Sequence, residues 1–546
     1  MRQIVLASIA VVISASPAGA LPEGFKARAD ALLAQSYAAD GPGVSVSISE
    51  HGRVVYEAQR GMADIATKRP VAAATVFRIG SITKQFASAT LLQMVAEGRV
   101  ALDDPLSKFI PDYPGGRDIT IRQLLNHTSG IQSYTDIPGW LSEANTARRY
   151  STDEMIAVFR GKPPVSAPGT AWAYNNSGYI LVGAVIEAVA KQPWHEEVVR
   201  RLTAPQGLRS IRYGNDPVPG GAMATGYTGN DPKVSQAIDM SVPGAAGALV
   251  ATAGDVTRWG DALHHGKLLP PALYAQMIAP TTLPDGTTRP YGFGVRPGTV
   301  HGLPVVGHSG GIFGFASDTM FLPGPDMVVT VLTNSDEPQT SPGVVLRRLA
   351  ALAANKPYPT FAPQPLDPAA VEPFLGTYRI GGKDRVLRME DGKLVYRRPD
   401  QSTPLIPVGA NRYVLGKDGL NWIELGRDAA GQPRLVFFTD GVDVDGPAAR
   451  TGPVPVEAAA VAVPAATLAR YVGSYAAVFG KIAVTQAASS LTVQVAGQPA
   501  FPLRALSPTE FEVAQVGAKV RFLEKDGRIT GLEVAQGGRT IPATRD

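Results

Sequence analysis

The sequence predicts an α+β fold, an antiparallel sheet flanked by helices, followed by two small all-β modules. Three observations carry this. Residues 21–355 interleave strand-like alternation with apolar runs of helical period. Pro357, Pro359, Pro363, Pro365, Pro368 and Pro373 then break the composition like a linker. Beyond them helical periodicity fades, and a five-residue pattern recurs 97 positions apart, at Gly376 and Gly473.

The elements follow in chain order. Val44-Ser45-Val46-Ser47-Ile48 alternates with period two, Glu50-His51-Gly52-Arg53 turns, and Val54-Val55-Tyr56 returns, which predicts a hairpin. Residues 81–97 carry Phe86, Leu91, Met94 and Val95 at helical spacing, and Gly98 ends the run. Residues 179–190 read as an apolar, buried helix. Residues 252–263 read as a third, with Thr252 as N-cap and Asp255 in its first turn. Met327 to Leu332 is an apolar run between Pro323-Gly324-Pro325 and Asn334, and reads as a buried strand. Strands near both ends, with helices between, predict a sheet closed by both termini of this region.

Downstream, Phe374-Leu375-Gly376-Thr377-Tyr378 matches Tyr471-Val472-Gly473-Ser474-Tyr475, and Leu394 matches Leu491 in the same register. Two copies of one module are expected, as antiparallel lipocalin-like barrels or sandwiches, against the alternative of two unrelated β segments. The expected boundaries are a leader over 1–20, a main domain over 21–355, a linker over 356–370, one module over 371–451, a linker over 452–466 and the second module over 467–546. Neither module contains a His, so the chemistry is expected upstream.

Composition bounds the function. The 546 residues are 18% charged and 45% hydrophobic, as in ordinary globular proteins. With no Cys there is no disulfide scaffold, thiolate metal site or thiol nucleophile. A net charge of +4 without a Lys/Arg block argues against nucleic acid as a partner. Arg2, the short apolar run Ile4 to Ile13 and Ala18-Gly19-Ala20 read as a Sec-type signal peptide cleaved before Leu21; a retained anchor is the alternative. No later run approaches 18 uninterrupted apolar residues, so no integral membrane segment is expected after cleavage. A periplasmic or secreted protein is expected, and a homo-oligomer stays open.

Three motifs could carry chemistry. In Gly80-Ser81-Ile82-Thr83-Lys84, Ser81 and Lys84 share one helix face, one turn apart. A lysine whose pKa is lowered can take the proton of a serine hydroxyl, and a helix N-terminus favours developing negative charge. Ser81 as a plain N-cap with a solvated Lys84 is the alternative. Tyr174-Asn175-Asn176 precedes a helix: a phenol can relay a proton and an amide can hold a carbonyl, or Tyr174 packs while Asn176 caps. Gly307-His308-Ser309-Gly310-Gly311 follows an apolar run, and its glycines let a substrate lie against backbone N–H groups. Ser309 also fits a nucleophile elbow, but no His follows His308 to complete that triad. A second Y-x-N, Tyr213-Gly214-Asn215, reads as a surface turn.

Taken together and in this order, residues from about 40 to 335 resemble the serine β-lactamase and penicillin-recognising superfamily, nearest its class C-like branch of D-aminopeptidases, esterases and D,D-peptidases. Leu124-Leu125-Asn126-His127-Thr128-Ser129-Gly130, Ala246-Gly247-Ala248-Leu249 and Tyr291-Gly292-Phe293-Gly294-Val295 fit that branch too. The resemblance implies a β-lactamase-like fold and an acyl-enzyme formed on Ser81. It implies Lys84 as base, Tyr174 as proton shuttle, and Asn176, His308 and Gly310 at the substrate. It implies an oxyanion hole from the backbone N–H groups of Ser81 and Gly311. His127 is expected to support structure. His308 stands where lactamases carry Lys, and imidazole is a poorer partner for a carboxylate. That favours a D-aminopeptidase, amidase or esterase over a β-lactamase or D,D-carboxypeptidase, and predicts a pH inflection owed to His308. A non-catalytic envelope protein is the remote alternative. The two modules resemble the layout of bacterial D-aminopeptidases.

No cofactor or metal is expected. H-E-x-x-H is absent, and the adjacent His264-His265 pair is expected in solvent. The partner expected is a small amide, peptide or ester.

Overall fold

The computed structural model describes residues 21–398, 401–455, 461–477, 480–487, 490–495, 498–513, 516–536 and 539–546. The leader expected over 1–20 and residues 456–460 of the second linker lie outside them. The chain divides into two compact units at Pro357/Tyr358.

The first unit is built on a six-stranded antiparallel sheet, in the order Arg296–Val300, Leu303–Ile312, Phe315–Leu322, Met327–Thr333, Val44–Glu50, Arg53–Arg60. The N-terminal hairpin therefore joins the sheet through the last strand, with Val46 opposite Val331, as the strands at both ends of the region predict. Strand Met327–Thr333 is buried along its whole length, the pattern of a sheet covered on both faces. Helix Ala253–His264 covers one face: Thr257 Oγ1 donates to Thr330 Oγ1 at 3.0 Å, and Gly260 sits over Val328. Helix Pro342–Ala353 lies on the other, with Gly343 over Asp318, whose neighbour opposite is Val331.

Helix boundaries follow their caps. Thr252 caps its helix by accepting the Asp255 N–H at 3.2 Å. The helix expected over 81–97 starts as a 3-10 turn, Gly80–Ile82, and becomes α-helical over Thr83–Ala96. Gly98 ends it at φ +70°. Ser81 makes no capping bond, so the N-cap alternative does not hold. This helix is almost wholly buried, with Phe86 stacked on Trp259 at 3.9 Å. The helix expected from Tyr179 starts at Asn176, and Asn175 rather than Asn176 caps it.

In the second unit each repeat forms a closed barrel, not a sandwich. Eight strands from Gly376–Ile380 to Ala448–Gly452 close through the pairings of Trp422–Arg427 with Pro433–Thr439 and of Thr377 with Gly452. Eight more run from Gly473–Ala477 to Arg539–Arg545. The shared register extends to side chains. Tyr378 donates to the Phe374 carbonyl at 2.5 Å, and Tyr475 to the Tyr471 carbonyl at 2.7 Å. Leu394 and Leu491 are both fully buried. The interiors are filled by such side chains, as expected for barrels of this size.

Two surface expectations fail. Tyr213 is buried and stacks on His195 at 4.3 Å, because its backbone pairs into a three-stranded sheet. His264 is half-buried on Phe321 and bonds the Tyr274 hydroxyl at 2.7 Å, so of the pair His265 alone is exposed.

Candidate active site

Three segments converge on one cleft of about 360 Å³. The 3-10 turn supplies Ser81, the start of helix Asn176–Ala190 supplies Asn176, and the end of strand Leu303–Ile312 supplies Gly311. Gly80 makes this possible. It holds φ +50°, and a methyl there would lie 2.9 Å from the Gly311 nitrogen, so only glycine lets the two backbones approach.

Lys84 is fully buried one turn beyond Ser81. Its Nζ lies 3.1 Å from Ser81 Oγ, 2.8 Å from Asn176 Oδ1 and 2.8 Å from the Ala246 carbonyl. Asn176 Nδ2 donates to Thr135 Oγ1 at 3.2 Å, which fixes the amide with its oxygen towards Lys84. Lys84 forms no ion pair among the described residues. Desolvation pulls its pKa well below the usual lysine range, and the positive charge of Arg296 pulls it further. The Tyr174 ring lies 4.8 Å from Nζ. Burial pushes the Tyr174 phenol up to about 12, opposed by the Ser81 hydroxyl and by Arg296, so it stands ready as a protonated donor.

His308 departs from expectation. It is 3% exposed, and both ring nitrogens are engaged. Nδ1 lies 2.5 Å from the Ser309 carbonyl and must carry the proton; Nε2 then accepts from the Tyr291 hydroxyl at 3.0 Å. Desolvation, with the charges of Lys84 and Arg296, pulls its pKa down to about 3. The ring is therefore held neutral near pH 7. The sequence expectation set His308 at the substrate; the structure places it in a buried, doubly hydrogen-bonded position, bonded to Tyr291 and the Ser309 carbonyl.

Gly310, also expected at the substrate, is placed likewise. It is buried, and a methyl there would meet the Ile79 carbonyl at 2.1 Å. It spaces the strand from the Ser81 turn, while Gly311 alone of the pair faces the cleft. Strand pleating explains both placements: His308 and Gly310 share one face, and Gly311 lies on the other. That alternation was legible in the motif itself.

His127 is buried beside the site. It holds φ +65°, accepts the Asn175 N–H at Nδ1 (3.2 Å) and packs 4.4 Å from Tyr174 and 4.5 Å from Tyr291.

Two residues were given no role by the sequence. Arg296 is exposed on the neighbouring strand, opposite Gly307, with its guanidinium 5.6 Å from the Tyr174 ring centre and 5.5 Å from that of Tyr291. It forms no ion pair among the described residues. Asp336 lines the cleft. No local motif marks either; only the strand register and the hairpin turn bring them in.

A serine hydroxyl beside a buried lysine amine, between an antiparallel sheet and a helical layer, defines the site and fold of the serine-active β-lactamase-like proteins. The family model for beta-lactamase matches residues 29–354, and the chain belongs to that family. A D-aminopeptidase of Cereibacter sphaeroides is 29% identical over 304 residues, covering 54% of this chain and 57% of that protein. The chain thus spans little more than half of that relative's length. Among solved structures, a D-stereospecific amidohydrolase from Streptomyces sp. is 29% identical with TM-score 0.50, covering 57% of this chain and 95% of that one. A D-amino acid amidase from Ochrobactrum anthropi is 25% identical with TM-score 0.55, covering 61% and 99%.

Proposed function

We propose that this chain is a serine hydrolase working through an acyl-enzyme on small amides, peptides or esters, with D-aminopeptidase or amidase activity foremost. One observation carries the reading: the hydrogen-bond count at Lys84. A neutral amine has two N–H groups and one lone pair. Asn176 Oδ1 and the Ala246 carbonyl, each at 2.8 Å, can only accept, so they take the two N–H groups. The lone pair is left for the third neighbour, the hydroxyl of Ser81.

The steps follow from this placement. Lys84 takes the Ser81 proton as Oγ attacks the carbonyl carbon. The oxyanion forms against the backbone N–H groups of Ser81 and Gly311. Tyr174 donates its proton to the leaving nitrogen as the C–N bond breaks, and the Lys84 ammonium reprotonates the phenolate. Water then repeats the sequence on the acyl-enzyme. The similarity to the D-aminopeptidase and the two amide hydrolases supports amides of D-amino acids as substrates. The N-terminal leader pattern supports export to the periplasm or medium.

One observation favours the alternative, a β-lactamase or D,D-carboxypeptidase. Arg296 offers beside Tyr174 the fixed cation that His308 does not, and a guanidinium suits a substrate carboxylate.

The test is covalent labelling of wild type and Ser81→Ala with a fluorophosphonate and a fluorescent penicillin, read by mass spectrometry. The expected result is a fluorophosphonate adduct on wild type alone, with faster turnover of D- than L-aminoacyl amides. A penicillin adduct that hydrolyses quickly moves the assignment to the alternative. No adduct from either reagent refutes the acyl-enzyme.

A further inference from the structure

We infer that Asp336 holds the α-ammonium of the substrate, so that the acyl half carries a free amine; this rests on the hydrolase reading above. Asp336 is the only charged side chain among the residues lining the cleft. The cleft's other lining residues include Leu141, Ile238, Val242, Ile312 and Phe313, a surface suited to an apolar side chain.

Its carboxylate is held at one oxygen and unpartnered at the other. Oδ2 accepts the Gly314 N–H at 2.7 Å, and the Asp336 N–H donates to the Tyr227 carbonyl at 3.1 Å. Oδ1 is buried and has no hydrogen-bond partner, and Asp336 forms no ion pair among the described residues. An unmatched buried carboxylate oxygen is costly, and a small rotation of the carboxylate towards an ammonium in the cleft gives it a charge-assisted bond.

The order of groups along the strand sets the polarity. Arg296 lies opposite Gly307, at the His308 end. Gly311 follows, then Ile312, whose partner is Phe315 across a two-residue turn, and Asp336 is fastened to Gly314 in that turn. Three residues span at most ~10 Å, and the tight turn makes the step from Gly311 shorter still. A carbonyl whose oxygen meets the Gly311 N–H has its α-nitrogen two bonds away. Set on the Ile312 side, that nitrogen faces Asp336. The Arg296 guanidinium repels it from the opposite end. The cleft is thus charged in the sense that suits an aminoacyl group, its amine at Asp336 and its leaving group towards Arg296.

The experiment compares D-phenylalanine p-nitroanilide with 3-phenylpropionic p-nitroanilide, the same molecule without the amine. Wild type is expected to favour the amine in kcat/KM by about tenfold or more. In Asp336→Asn that ratio is expected to fall towards one. With wild type, kcat/KM for the amine substrate falls as the α-amino group loses its proton above about pH 8; a merely structural Asp336 predicts no such fall. A ratio unchanged in Asp336→Asn overturns the inference and leaves the hydrolase standing. Should the variant not fold, wild type decides alone: equal rates on the two substrates overturn it. Failure of wild type to cleave either anilide or to take a fluorophosphonate overturns the hydrolase reading itself.

Discussion

Asn175 and Asn176 are neighbours that perform opposite tasks: Asn175 Oδ1 accepts the Gly178 N–H at 2.8 Å, while Asn176 Oδ1 accepts from Lys84 Nζ at 2.8 Å. Asn175 also donates its side-chain amide to the Ile131 carbonyl and its backbone N–H to His127, all buried. Asn175→Ala should therefore destabilise the fold by about 2–4 kcal/mol, from the lost cap and the stranded carbonyl. Asn176→Ala should stay within about 1 kcal/mol of wild type in urea unfolding, yet slow fluorophosphonate labelling by about 10²-fold. Equal stability losses in the two variants would refute the division.

That division marks where the sequence stops being readable. The hairpin at residues 44–56, the Thr252 cap, the serine–lysine spacing and the repeat register all rest on local periods, and local periods survive folding. Which of two adjacent Asn caps a helix depends on the partner each meets, and those partners, Ile131 and Lys84, lie 44 and 92 residues away. His308 was legible as a residue and not as an environment, because its burial comes from Tyr291 on another segment. Arg296 and Asp336 enter through strand register and a turn, which no motif encodes.

Arg296 acts on Lys84 through charge. Both desolvation and Arg296 lower the Lys84 pKa, so the acylation rate should rise with pH along a limb lying well below the ordinary lysine range. Arg296→Ala removes repulsion and leaves the ammonium easier to form. The limb should then move to higher pH, and Arg296→Lys should restore it. Labelling rates from pH 5 to 10 give the answer; a limb that stays in place in Arg296→Ala excludes the coupling.

His308 should govern stability, not rate. Its pKa is about 3 when folded and about 6.5 when unfolded. Between those values the unfolded chain holds the extra proton, so stability rises with pH and is lost as pH falls from about 6.5 towards 3. His308→Gln should remove about one proton from the uptake on unfolding near pH 5, or about 1.4 kcal/mol per pH unit. His127 and His264 shift in the same sense and remain in the variant, so part of the acid loss persists. The shape of kcat between pH 5 and 8 should not change. An inflection near pH 6.5 that vanishes in His308→Gln would return His308 to the substrate.

Gly310 and Gly311 offer the sharpest contrast between spacing and function. A methyl at Gly310 would lie 2.1 Å from the Ile79 carbonyl and 2.4 Å from Ser317 Oγ. Ser317 can turn away, but it donates to that same carbonyl at 3.0 Å, and the Ile79 backbone leads directly into Ser81. Relief can come only by moving the strand from the nucleophile turn. Gly310→Ala should cost about 1–3 kcal/mol, and a shift approaching 1 Å at Gly311 should slow acylation by about 10²-fold. A methyl at Gly311 meets nothing within 4 Å, and its backbone is not in the left-handed region. Gly311→Ala should melt within about 0.5 kcal/mol of wild type while raising KM, because its methyl enters the cleft. Melting temperature and labelling rate, measured together, separate the two. If Gly310→Ala matches wild type in both, the strand does not set the distance between Ser81 and the Gly311 N–H, and the oxyanion hole must be sought elsewhere.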